Sequence, residues 1–121
     1  MEQLTSSRGR MIEIAMLRRK IEISLTQSQF EAFDLMMVSY LALSAINTLS
    51  EKANYYIVHQ VYEKRIRPKH LDLKTVFKLK FTIAEACAIH TMLCGICIPN
   101  KSIYEETLRN LITSEINQQT T

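Results

Sequence analysis

Three cysteines and a histidine are grouped at Cys87, His90, Cys94 and Cys97, a spacing that raises zinc ligation or thiol redox chemistry. Helical geometry speaks against both. On one helix these residues share a side but spread over roughly 15 Å of axis, wider than a single ion's ligand shell. Cys94 and Cys97, written C-G-I-C, fall at the end of their helix, where the dipole disfavours the thiolate that a redox pair needs. They are expected to be small core residues, with a zinc bridged between two chains as the other option. Nucleophilic and acid-base chemistry finds no better footing. Serine and histidine form no nucleophile elbow, Glu31, Asp34 and Glu85 lack paired spacing, and Gly9 and Gly95 build no phosphate loop. The chain is read as non-enzymatic, with no cofactor and no metal.

The remaining chemistry is charge. Lys64, Arg65, Arg67, Lys69, Lys74, Lys78 and Lys80 face a single acid, Asp72, so residues 64–80 carry +6 in a chain whose net charge is +3. Such asymmetry points to a polyanionic partner or to a solvated face. What decides between them is how the residues are presented.

Two stretches present them in the same way. In 20–25, and again in 77–81, apolar and polar residues alternate, the signature of a strand covered on one face. Ile21, Ile23, Leu25, Phe77, Leu79 and Phe81 are expected inward. Arg18, Lys20, Glu22 and Ser24 then point out from one strand, and Lys74, Val76, Lys78 and Lys80 from the other. A partly alternating stretch at 11–17 could extend the first strand or add another. Each strand runs into a capping box, Thr26 with Gln29 and Thr82 with Glu85, so helices are predicted over 27–45 and 83–96. Both are apolar around much of their circumference and should be mostly buried, with Met36, Met37 and Met92 as core filling. Further boxes, Thr48 with Glu51 and Ser102 with Glu105, open second helices. The first of these, ended by Pro68, carries Ala53, Tyr56, Ile57 and Val61 at helical spacing, and Tyr55, Tyr56 and Tyr62 are expected to complete a core with hydroxyls at its rim. The last carries Ile103, Thr107, Leu108, Leu111 and Ile112.

The two halves match at a fixed separation of 56: Ile21 with Phe77, Ile23 with Leu79, Leu25 with Phe81, Thr26 with Thr82, Ala32 with Ala88 and Met36 with Met92. The expected fold is α+β, mostly helical, with duplicated βαα units forming a two-stranded ribbon packed on four helices. Residues 1–17 form an N-terminal arm, 18–67 the first unit, 68–74 a connector, 75–117 the second unit and 118–121 a frayed tail. One unit would leave a bare strand edge, whereas two can close a shared core.

In this order of elements the chain resembles the ribbon-helix-helix family of DNA-binding proteins, through KIEISLTQSQFEAF with NTLSEKANYYIVHQVYEK and FKLKFTIAEACAIH with NKSIYEETLRNLI. The resemblance covers about residues 18–117. It implies an antiparallel ribbon that enters the major groove, with Lys20, Ser24, Lys78 and Lys80 as base contacts. It also implies phosphates held at the second helices' N-termini, around Thr48, Ser50, Lys101 and Ser102, although the same residues also read simply as well-capped helix starts. A homodimer of chains on DNA follows from the small interface of one ribbon. The rival is a small homo-oligomeric interaction module of the same fold with no DNA binding, in which the ribbon or an uncovered strand edge pairs with another chain and the positive charge meets an acidic protein partner. Glu22 and Val76 favour that rival. Neither a leader nor a membrane span is apparent, and an odd cysteine count suits a reducing compartment, so a soluble cytoplasmic protein is expected.

Overall fold

The computed structural model of the protein describes residues 19–95 and 103–120. Its elements run β1 (Lys20–Thr26), α1 (Gln27–Leu43), α2 (Leu49–Val61), β2 (Val76–Thr82), α3 (Ile83–Gly95) and α4 (Ile103–Thr120). The architecture is α+β, mostly helical, with four α-helices on a two-stranded antiparallel sheet formed within one chain. The expected arm at 1–17, Arg18, Cys97, Lys101 and Ser102 lie outside the described residues.

Alternation sets the ribbon. β1 and β2 each bury every second residue, and the register sets Ile21 against Phe81, Ile23 against Leu79 and Leu25 against Phe77. All six are buried, each contributing about 1.5–3 kcal/mol as an upper figure for full burial. The helices lie over this face, and the buried side chains of all elements form one cluster. Phe30 of α1 stacks on Phe77 at 4.3 Å between ring centroids, tying helix to ribbon.

Both strand-to-helix corners are held by reciprocal caps. Thr26 Oγ1 accepts the Gln29 N–H at 3.3 Å while Gln29 Oε1 accepts the Thr26 N–H at 2.9 Å. Thr82 and Glu85 repeat the exchange at 3.1 and 2.8 Å. At α2 the exchange is offset: Thr48 caps the Glu51 N–H, but the Glu51 carboxylate reaches past Thr48 to the Asn47 N–H.

Several expectations need correction. α1 ends at Leu43 and buries only Phe30, Phe33, Met36 and Met37, leaving Leu35 and Leu43 exposed, so it is a surface helix despite its apolar sequence. The buried line of α2 is Val58 and Val61, continued by Ile66, rotated away from the exposed Ala53 and Tyr56. After Val61 the helix widens to a π turn over Tyr62–Ile66 and tightens to a 3-10 turn over Arg67–Lys69. Pro68 explains the change: it has no N–H to donate and its ring crowds the carbonyl one turn earlier. Cys87 and Cys94 are exposed and are not core residues, because Ala86, Ala88, Ile89, Met92 and Leu93 occupy the buried side of α3. Finally, the last helix runs on to Thr120, past the expected end at 117.

That extra turn is fastened. Gln119 lies beside β1, where its Oε1 accepts the Glu22 N–H at 3.0 Å and its Nε2 donates to the Glu22 carbonyl at 2.8 Å. One side-chain amide thus pairs both backbone groups of an edge residue, as a neighbouring strand would.

Candidate nucleic-acid interface

The ribbon's outer face is built by the residues that the alternation excludes from the core: Lys20, Glu22, Ser24 and Thr26 on β1, and Val76, Lys78, Lys80 and Thr82 on β2. All are exposed except Thr82, which is half-buried. Register aligns Lys20 with Thr82, Glu22 with Lys80, Ser24 with Lys78 and Thr26 with Val76. Three lysines therefore face one glutamate. None of the three lysines takes part in an ion pair among the described residues. Glu22 and Lys80 are direct cross-strand neighbours, an exposed opposite-charge pair that contributes at most about 1 kcal/mol.

Of the cations and hydroxyls expected on the ribbon's outer face, Lys20, Ser24, Lys78 and Lys80, the expected base contacts, are brought together there. Lys74 is not, because β2 begins at Val76; Lys74 is exposed in the preceding segment, with its Nζ 4.0 Å from the Asp72 carboxylate. Thr48 and Ser50 sit elsewhere. Ser50 lines a cleft of about 600 Å³ together with Tyr40, Glu51, Asn54, Thr91 and Met92, and no ribbon residue contributes to its walls. The Thr48 hydroxyl is engaged in capping.

The basic stretch at 64–80 is less free than its formula suggests. The Arg65 guanidinium grips Glu85 at 3.1–3.2 Å, fastening the π turn to the start of α3. Burial by itself would raise the Glu85 carboxyl, but the Thr82 amide and Arg65 outweigh it and hold the group below its ordinary value. Arg67 pairs with Glu63 at 3.0 Å. Among the described residues, Lys78 and Lys80 are the cations of this stretch that stand on the ribbon.

The segment leading into β2 has its own anchor. His70 Nε2 lies 2.7 Å from Asp34 Oδ1, and the imidazole meets the rings of Phe30 and Tyr62 edge-on. Burial, then the charge of Asp34, push the Tyr62 hydroxyl above the ordinary tyrosine value. Neither this cluster nor Gln119 carries a local sequence signal, since each joins residues far apart in the chain. On α3, Cys94 Sγ is 3.6 Å from His90 Nδ1, a contact between adjacent turns of one helix. Among the described residues, no three histidine, cysteine, aspartate or glutamate side chains are grouped to hold a metal ion. No helix among them is long and apolar enough to cross a membrane.

The chain matches no family model, no curated protein and no solved structure.

Proposed function

We propose that the protein is a non-catalytic DNA-binding or regulatory protein of the cytoplasm that lays the outer face of its β-ribbon in a major groove. Its two halves, residues 18–67 and 75–117, are duplicated βαα units related as the two subunits of a ribbon-helix-helix protein are. The register supports this relation. Ile23 and Leu79, 56 apart in sequence, are the middle residues of their strands and stand directly opposite one another, as a local two-fold axis requires.

The observation that carries the functional reading is the composition of the outer face. It is a narrow, two-stranded surface whose other side is sealed by helices, and it bears Lys20, Lys78 and Lys80 with the Ser24 hydroxyl among them. Such a ribbon has the width that a major groove admits, lysine can donate to guanine acceptors, and serine can bond either way. One ribbon offers a small interface, so the chain acts as a homodimer on a repeated or palindromic site. Gel shift on mixed genomic fragments at roughly 50 and 200 mM salt tests the reading. Saturable binding that weakens steeply with salt and prefers some fragments supports it; no shift at micromolar protein refutes it.

A second reading, an interaction module that binds an acidic protein, is favoured by two particular residues. Glu22 repels phosphate beside Lys80, and half-exposed Val76 offers the groove no hydrogen bond.

A further inference from the structure

The two edges of the ribbon are treated differently. Glu22 turns its N–H and carbonyl away from β2, toward Gln119. Backbone direction alternates along a strand, so Lys20, Ser24 and Thr26 also face that outer edge, while their register partners Thr82, Lys78 and Val76, with Lys80, face outward from β2. The capping bonds agree, since the N–H groups of Thr26 and Thr82 both leave the ladder for a side chain. On β1 the amide of Gln119 therefore closes the middle of the edge. On β2 the amides and carbonyls of Lys78 and Lys80 have no hydrogen-bond partner among the described residues. At the repeat spacing of 56 the position matching Gln119 is Glu63, whose carboxylate cannot donate to a carbonyl and is held by Arg67 at 3.0 Å.

We propose that the open edge of β2 takes up an extended acidic peptide segment of a partner protein as a third strand, its carboxylates lying beside Lys78 and Lys80. The backbone supplies the ladder and the lysines supply the selection. A second copy of this chain is a poor occupant, because pairing two β2 edges brings Lys78 and Lys80 against the same lysines, and like charges in register destabilise a sheet. An acidic strand turns that repulsion into attraction. It also widens the ribbon by about 4.8 Å and neutralises its lysines, so it excludes the groove-bound state wherever DNA is bound.

The test uses the full chain and a roughly seven-residue peptide with Glu at every second position and Val between, compared with the same peptide N-methylated at every residue, which leaves neither edge a donor. The two carry equal charge, but only the first can donate to a strand edge. The parent peptide is expected to bind saturably and to slow hydrogen exchange at the Lys78 and Lys80 amides. N-methylation should weaken it by about tenfold or more, and the exposed double change Lys78→Glu with Lys80→Glu should abolish binding. Equal binding of both peptides, or unchanged exchange at the two amides, overturns the proposal. DNA binding is assayed separately on the same sample: peptide capture without a gel shift sinks only the DNA reading, and a gel shift without capture sinks only this one.

Discussion

Replacing Gln119 by Ala should open the edge of β1 without touching the core. The lost contacts are the two bonds to Glu22, at 3.0 and 2.8 Å, and a bond from Gln119 Nε2 to Glu115 at 3.1 Å. A net hydrogen bond contributes about 0.5–1.5 kcal/mol, and the Glu22 groups regain water once released, so the cost is set at about 1–2 kcal/mol. For a chain of this size that lowers Tm by about 3–8 °C. Gln119→Glu should cost more than Gln119→Ala, because a carboxylate can accept the Glu22 N–H but cannot donate to its carbonyl, and it adds a negative charge beside Glu22 and Glu115. Urea unfolding gives the stability difference, and hydrogen exchange at the Glu22 amide gives its location. Exchange at Glu22 that is as slow in Gln119→Ala as in the parent would show that the end of α4 does not close this edge.

Three further outcomes follow from the core and the charges. Leu79→Ala removes a side chain 1% exposed at the centre of the ribbon and should cost about 2–5 kcal/mol in urea unfolding; a loss below about 1 kcal/mol would contradict the packing described. The depressed Glu85 carboxyl contributes stability that is fully present above its unfolded value and is lost as pH falls through its lower folded value. Glu85→Gln should therefore flatten the acid limb of the stability profile, and Arg65→Ala should cost about 1–2 kcal/mol near neutrality, between the surface and buried limits for an ion pair. A parent-like acid limb in Glu85→Gln would exclude Glu85 as its source.

Local patterns made the ribbon legible. Strict alternation at Lys20–Thr26 and Val76–Thr82, each ending in threonine with Gln29 or Glu85 three residues on, marks strand, corner and helix start from neighbouring residues alone. The outward placement of Lys20, Ser24, Lys78 and Lys80 follows from the same alternation. Less could be read where helix faces had to be chosen. In α1 and α3 apolar residues surround the axis, so periodicity could not say that Leu35, Cys87 and Cys94 would face out. Long-range polar contacts were invisible for a different reason. Gln119 meets Glu22 across 97 residues, and His70 meets Asp34 across 36, with nothing in either neighbourhood to announce the partner. The π turn was hidden as well: Pro68 signals that the helix must end, but not how the turn before it relaxes.

The most direct measurement compares the parent with the double change Lys78→Ala and Lys80→Ala in gel shifts across roughly 50–200 mM salt. Both side chains are exposed on the ribbon, so the fold is retained and the comparison isolates the outer face. If that face lies in a groove, the double change weakens binding strongly and makes the plot of log affinity against log salt shallower. Undiminished DNA affinity with an unaltered salt slope would contradict the ribbon as the binding surface.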